Sequence, residues 1–84
     1  MEDRMTTGVV GLIVNNRADH APEVQRVLTR YGNIITSRMG TPSRNKERGF
    51  ITLAVEGKRC QIDSLTEELR GVEGVQVSST LVEG

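Results

Sequence analysis

Four residues carry the donors from which a small anion site could be built: Asn15, Asn16 and Arg17, consecutive in one turn, and Arg38 in a later strand. Side-chain amides and guanidinium groups each offer several N–H donors, and arginine stays charged, so the set suits a small anionic effector. Taken singly, each is more ordinary as a solvated turn or strand residue. Metal chemistry has less to work with. His20 and Cys60 are the only soft ligands besides the methionines; they fall in different halves of the sequence and neither has a partner at ligand spacing. No metal or other cofactor is expected within one subunit, while a site shared between subunits stays open; a solvent-facing His20 and a packed Cys60 are the plainer expectation. Catalysis is not expected either. There is one histidine, no Gly-x-Ser-x-Gly turn, and no acid pair with a nearby base.

The elements that must position these residues are written twice. Apolar runs open at Gly8 (GVVGLIV) and Gly49 (GFITLAV), each followed by a polar turn, a helical pattern and a short second run, at an offset of 41 residues. The offset pairs Leu12 with Leu53, Val24 with Leu65, Leu28 with Leu69 and Ile34 with Val75. Two βαβ halves predict a ferredoxin-like βαββαβ sandwich of the α+β class, with two helices on one face of a four-stranded antiparallel sheet. Residues 1–7 read as a flexible tail and 8–84 as a single domain. Strands are expected over about 8–14, 33–39 and 49–55, the third ended by a turn at Glu56, Gly57 and Lys58. Val24, Val27, Leu28 and Tyr31 form the stripe of the first helix, with Pro22 in its first turn and Gly32 as its left-handed stop. Ile62, Leu65, Leu69 and Val72 form the stripe of the second, which Gly71 or Gly74 ends. Val75, Val77, Ser79 and Leu81 alternate inward along the last strand. Residues 40–48 read as an irregular hairpin connection.

Strand alternation then assigns the two sheet faces. If Val10, Leu12, Val14, Ile51, Leu53 and Val55 face the helices, the opposite face carries Val9, Ile13, Phe50 and Ala54, which is not the composition of a wet face. These four residues are the expected interface of a homo-oligomer, a dimer or higher, since a two-fold contact is the economical way to cover such a patch.

Composition bounds the partners. Eleven basic residues balance eleven acidic ones, so no global field draws the protein to nucleic acid or anionic lipid. The one basic excess, Arg38, Arg44, Lys46 and Arg48 against Glu47, reads as a solvated loop. Arg48-Gly49-Phe50 imitates the opening of an RNA-recognition strand motif, but base stacking needs several rings, and the chain has only Phe50 and Tyr31. Sequence-specific nucleic-acid binding is therefore not expected. The glycine-rich phosphate cradle of acylphosphatases, small enzymes of similar architecture, is absent although Arg17 sits in the corresponding turn. No charged-then-apolar leader opens the sequence and no run approaches the ~20 apolar residues that span a bilayer. With Cys60 as the lone cysteine, a cytoplasmic, membrane-free setting is the expectation.

From Val9 to Val82 the pattern resembles the small ACT-like family of iron-only hydrogenase system regulators, related in fold to the C-terminal domain of nickel-responsive repressors. Ile34–Pro42 carries most of the likeness, with Arg38, Gly40 and Pro42 matching the family's strand-two ending. GFITLAVEG in strand three, Ile62 with Leu65 and Leu69, and the closing Gly74-Val75-Gln76-Val77 match as well. The resemblance implies a non-enzymatic regulatory or sensing domain of (transcriptional) regulator type. The histidine-rich metal set and the ribbon-helix-helix segment of the nickel repressors have no counterpart here. Asn15, Asn16 and Arg17 stand where amino-acid-binding ACT domains usually place glycine. The alternative is an interaction or assembly module that meets a protein partner without any small ligand.

Overall fold

The computed structural model describes residues 5–42 and 47–83. They form β1 (Met5–Val14), α1 (Arg17–Arg30), β2 (Ile35–Pro42), β3 (Gly49–Lys58), α2 (Arg59–Arg70) and β4 (Val75–Glu83). All strand pairs are antiparallel and the sheet order is β2-β3-β1-β4, the βαββαβ ferredoxin-like arrangement. β1 and β3 are the central pair, with Val10 opposite Leu53 and Leu12 opposite Ile51. The period-two alternation of both strands sends these side chains to one face, where Val24, Val27 and Leu28 of α1 and Ile62, Leu65 and Leu69 of α2 bury them. The expected core stripes are thus the observed ones. Tyr31, Val75, Val77 and Leu81 pack against its edge.

Several boundaries differ from expectation, each for a local reason. β1 starts at Met5, so residues 5–7 are strand where a tail was expected; they pair with Lys58, Gly57 and Glu56. The expected turn at those three residues does not form, and β3 runs on until α2 begins at Arg59. Gly57 is there for space: a Cβ would lie 2.8 Å from Ile34 Cγ2, and Ile34 also receives the Glu56 N–H on its carbonyl at 2.8 Å. The start of α2 is closed by Gln61, whose Oε1 accepts the Lys58 N–H at 3.0 Å. β2 extends through Gly40, Thr41 and Pro42 rather than stopping at Met39. Arg44 and Lys46 of the expected basic loop lie outside the described residues, as do residues 1–4.

The helix signals also shift. α1 opens five residues before Pro22, which therefore sits inside the helix and withholds one backbone donor there. Asn16 makes this early start possible by taking a left-handed φ of 47°, a region asparagine tolerates better than most residues. Gly32 is not a left-handed stop; the helix ends at Arg30 with Tyr31 as its cap. α2 ends at Gly71 in right-handed geometry. Among the described glycines, Gly74 alone has a positive φ, 83°. A Cβ there would also lie 2.6 Å from His20 Cδ2 and 3.2 Å from the Asn15 carbonyl oxygen.

α1 and α2 are tied at the surface by Glu68, which accepts hydrogen bonds from the Tyr31 hydroxyl and from Arg30. The Tyr31 hydrogen bond first, and then Arg30, hold the Glu68 carboxyl below its ordinary range; the same bond to Glu68 pushes the Tyr31 hydroxyl up. A carboxyl depressed in the folded state stabilises the fold above its unfolded pKa, and that contribution disappears as pH falls through the folded one. The Tyr31 contribution is present below the unfolded tyrosine pKa and disappears as pH rises through the folded one.

Leu53→Ala should cost about 2–5 kcal/mol by core truncation, and Gly74→Ala about 1–3 kcal/mol by backbone strain alone, both read by urea denaturation; a Gly74→Ala protein as stable as the parent would contradict the assigned backbone. For Glu68→Gln, the melting-temperature deficit relative to the parent should be constant near neutrality and shrink in acid below the carboxylate range. A deficit independent of pH would remove the charge from the explanation.

Candidate functional site

Arg17 and Arg38 come together although they lie on different elements. Arg17 is the first residue of α1, and its backbone N–H donates to the Glu47 carbonyl at 2.9 Å, which fixes the helix start against the approach to β3. Arg38 lies opposite Leu53 in the β2–β3 register and so emerges on the helix-covered face. There its guanidinium donates to Gln25 Oε1 of α1 at 2.7 Å. Between α1 and the β2–β3 pair these residues line a cleft of about 210 Å³.

The cleft combines a cationic wall with an apolar one. Arg17, Gln25 and Arg38 supply its charged and amide groups; Val14, Ala21, Phe50 and Ile51 supply carbon surface, and Gly40 and Gly49 leave its floor bare. No carboxylate lines it among the described residues. Arg17, Ala21 and Gln25 recur every four residues along α1, so they share a helix face beside the buried Val24–Leu28 stripe. That spacing was the available signal for Ala21 and Gln25, which sequence reasoning did not single out.

The other two expected ligand residues are placed differently. Asn15 is bound to the fold: its backbone N–H donates to the Gly74 carbonyl at 2.8 Å and its Nδ2 donates to the same oxygen at 3.1 Å. Asn16 supplies the bend before α1 and lines a separate hollow, shared with Arg17, Asp19 and Glu47. The structure therefore joins Arg17 to Arg38 and leaves Asn15 and Asn16 out of the cleft.

The metal-ligand candidates are also accounted for. His20 is half-buried with its ring over Gly74 rather than turned to solvent. Cys60 is exposed rather than packed, because it stands off the Ile62–Leu65–Leu69 stripe that α2 buries. No group of three metal-capable His, Cys, Asp or Glu side chains occurs among the described residues. The motif Arg48-Gly49-Phe50 is split three ways: Arg48 buries its Nε, Gly49 floors the cleft, and Phe50 reaches the uncovered sheet face.

That uncovered face is the second candidate surface. Val9 lies opposite Ala54 and Ile13 opposite Phe50, so the four residues expected at an interface form two cross-strand pairs on the central strands, separated on that face by the Gly11–Thr52 pair. Among the described residues, the exposed large hydrophobics are Met5, Val9, Met39, Phe50 and Val82, and the register places all five on this side. Val9 is 51% exposed, Met39 68% and Val82 64%. No described helix is long and apolar enough to cross a membrane.

Comparison with known proteins agrees with this architecture. The uncharacterised protein TM1266 from Thermotoga maritima superposes with a TM-score of 0.87 at 22% identity, over 93% of this chain and 98% of that one. The ACT domain of GTP pyrophosphokinase from Chlorobium tepidum gives 0.71 at 15% identity, over 93% and 99%. The nitrogen regulatory PII-like protein CPII from Thiomonas intermedia gives 0.60 at 11% identity, over 96% and 95%. At these identities the likeness is one of fold. No curated protein matches the sequence. A family model does match, over residues 6–79, and the chain accordingly belongs to the TM1266-like family, whose description is "Iron-only hydrogenase system regulator, putative".

Proposed function

We propose that this protein is a non-enzymatic regulatory domain of the iron-only hydrogenase system type that senses a small anionic effector and works as a homo-oligomer. The observation that carries the effector is the cleft in which Arg17 and Arg38 converge, with Arg38 already held by Gln25. Holding one guanidinium in place before the ligand arrives lowers the ordering cost of binding. Membership of a regulator family supports the regulatory role, and a nitrogen regulatory PII-like protein among the structural neighbours is consistent with it. With balanced charge and no DNA-reading segment among the described elements, control of transcription would pass through a protein partner that supplies one.

The effector reading is tested by thermal shift with small anions. A ligand at a hundred times its Kd adds about 2.7 kcal/mol to the native state, and each kcal/mol moves the melting temperature of a domain this size by about 4–8 °C. Arg38→Gln should abolish the shift while leaving the ligand-free melting temperature nearly unchanged, because the group is exposed. A shift that survives in Arg38→Gln would remove the cleft from the function.

The exposed apolar face favours the assembly component, and without an effector it would support an interaction module instead. Ile13→Lys places a charge in that face and should drive the assembly toward monomer, at a cost of several kcal/mol if the contact is dry. Light scattering that finds the parent protein monomeric at high micromolar concentration would overturn self-association.

A further inference from the structure

We infer that the Arg17–Arg38 cleft selects a small dianion that carries no ammonium group, a dicarboxylate or a phosphate, and discriminates against amino acids. This rests on the effector reading above and narrows it to a ligand class. Apart from the Thr41 hydroxyl, which can donate or accept, the side-chain polar groups on the cleft wall are donors in excess: two guanidiniums, and a Gln25 amide whose oxygen is already occupied by Arg38. Two like charges in one hollow are best neutralised by a ligand with two negative charges.

An amino acid would bring a cation into the same hollow. Its ammonium would sit among guanidiniums with no carboxylate on the wall to receive it. Asp19 and Glu47 line a separate hollow with Asn16, which Arg17 also borders, and are not part of the cleft lining. Size narrows the class further. About 210 Å³ falls below the roughly 300–1,000 Å³ of pockets that enclose drug-sized ligands, so a molecule of a few carbons is enough to fill it. The apolar wall of Val14, Ala21 and Ile51 suits the methylene stem of a dicarboxylate.

The test compares succinate, aspartate and inorganic phosphate by calorimetric titration of the full chain at fixed ionic strength. Succinate and aspartate share one carbon skeleton and differ by the ammonium group. Binding of succinate or phosphate at least tenfold tighter than aspartate, and weakened at least tenfold in Arg38→Gln, is the expected result; which of the two binds tells dicarboxylate from phosphate. Gly40→Val is the uncharged control. Its Cβ would lie 3.8 Å from the Phe50 carbonyl oxygen and 4.0 Å from Ile51 Cγ1, an ordinary contact, so the variant should fold, fill the floor and lose binding. Aspartate binding as tightly as succinate, with the loss in Arg38→Gln retained, would overturn the ligand class and leave the effector site standing. Binding unaffected by both substitutions, or no binding of any probe, would overturn the cleft reading itself.

Discussion

The register of β1 against β3 is the constraint on which the rest of the molecule depends. Val10 and Leu53 face each other at the sheet centre with no exposed surface, and a slip of one residue would turn every side chain of either strand to the opposite face. That register decides what the helices cover. It also aligns β2, through β3, so that Arg38 rises beside α1 rather than on the uncovered side. A cationic cleft and an apolar sheet face are therefore two outcomes of one alternation.

Connections between elements are held by close backbone contacts rather than by long loops. Gly57 lets β3 pass Ile34 and run directly into α2. Gly74 does the corresponding work at the other end, where Asn15 donates twice to its carbonyl and His20 lies over its Cα. Arg17 is tied to the chain before β3 by its own backbone donor. The β1–α1 turn is thus fastened both to the start of β4 and to the approach to β3, and the first wall of the cleft inherits that fixation.

How much of this could be read from residue types depends on the range of the interaction. The 41-residue repeat and the two helical stripes exposed the architecture, because hydrophobic periodicity is a local record of burial. The apolar character of the uncovered sheet face was legible for the same reason: Val9, Ile13, Phe50 and Ala54 break the apolar–polar alternation that a wet face would show. Glycine was misleading. Gly57 resembles a turn residue and Gly32 a helix stop, but the first is small because Ile34 packs against it, and that contact crosses the fold. Asn15 resembled a ligand donor for its amide, and its amide is committed to Gly74, 59 positions away. Arg17 and Arg38 were recognisable by chemistry, whereas helical spacing could set Gln25 beside Arg17 but only the packing of α1 over β2 sets it beside Arg38. Tertiary pairing decided every one of these reassignments, and no local pattern encodes it.

The two candidate surfaces are not physically separate, because Phe50 and Ile51 line both the cleft and a groove on the uncovered face. Phe50 stands opposite Ile13 near one end of that face, and its strand neighbour Gly49 lies on the floor of the cleft. A single strand forms the partition between them, and a close-packed partition does not deform continuously; it changes by discrete rotamer steps. An occupant of the cleft that favours one Phe50 arrangement must alter the free energy of covering the other side by the same amount that covering alters its own binding, since the coupling of two equilibria is reciprocal. A chain of 84 residues has little room to insulate two surfaces from each other. Under the proposed function, that shortage of insulation would be a physical route from effector to assembly.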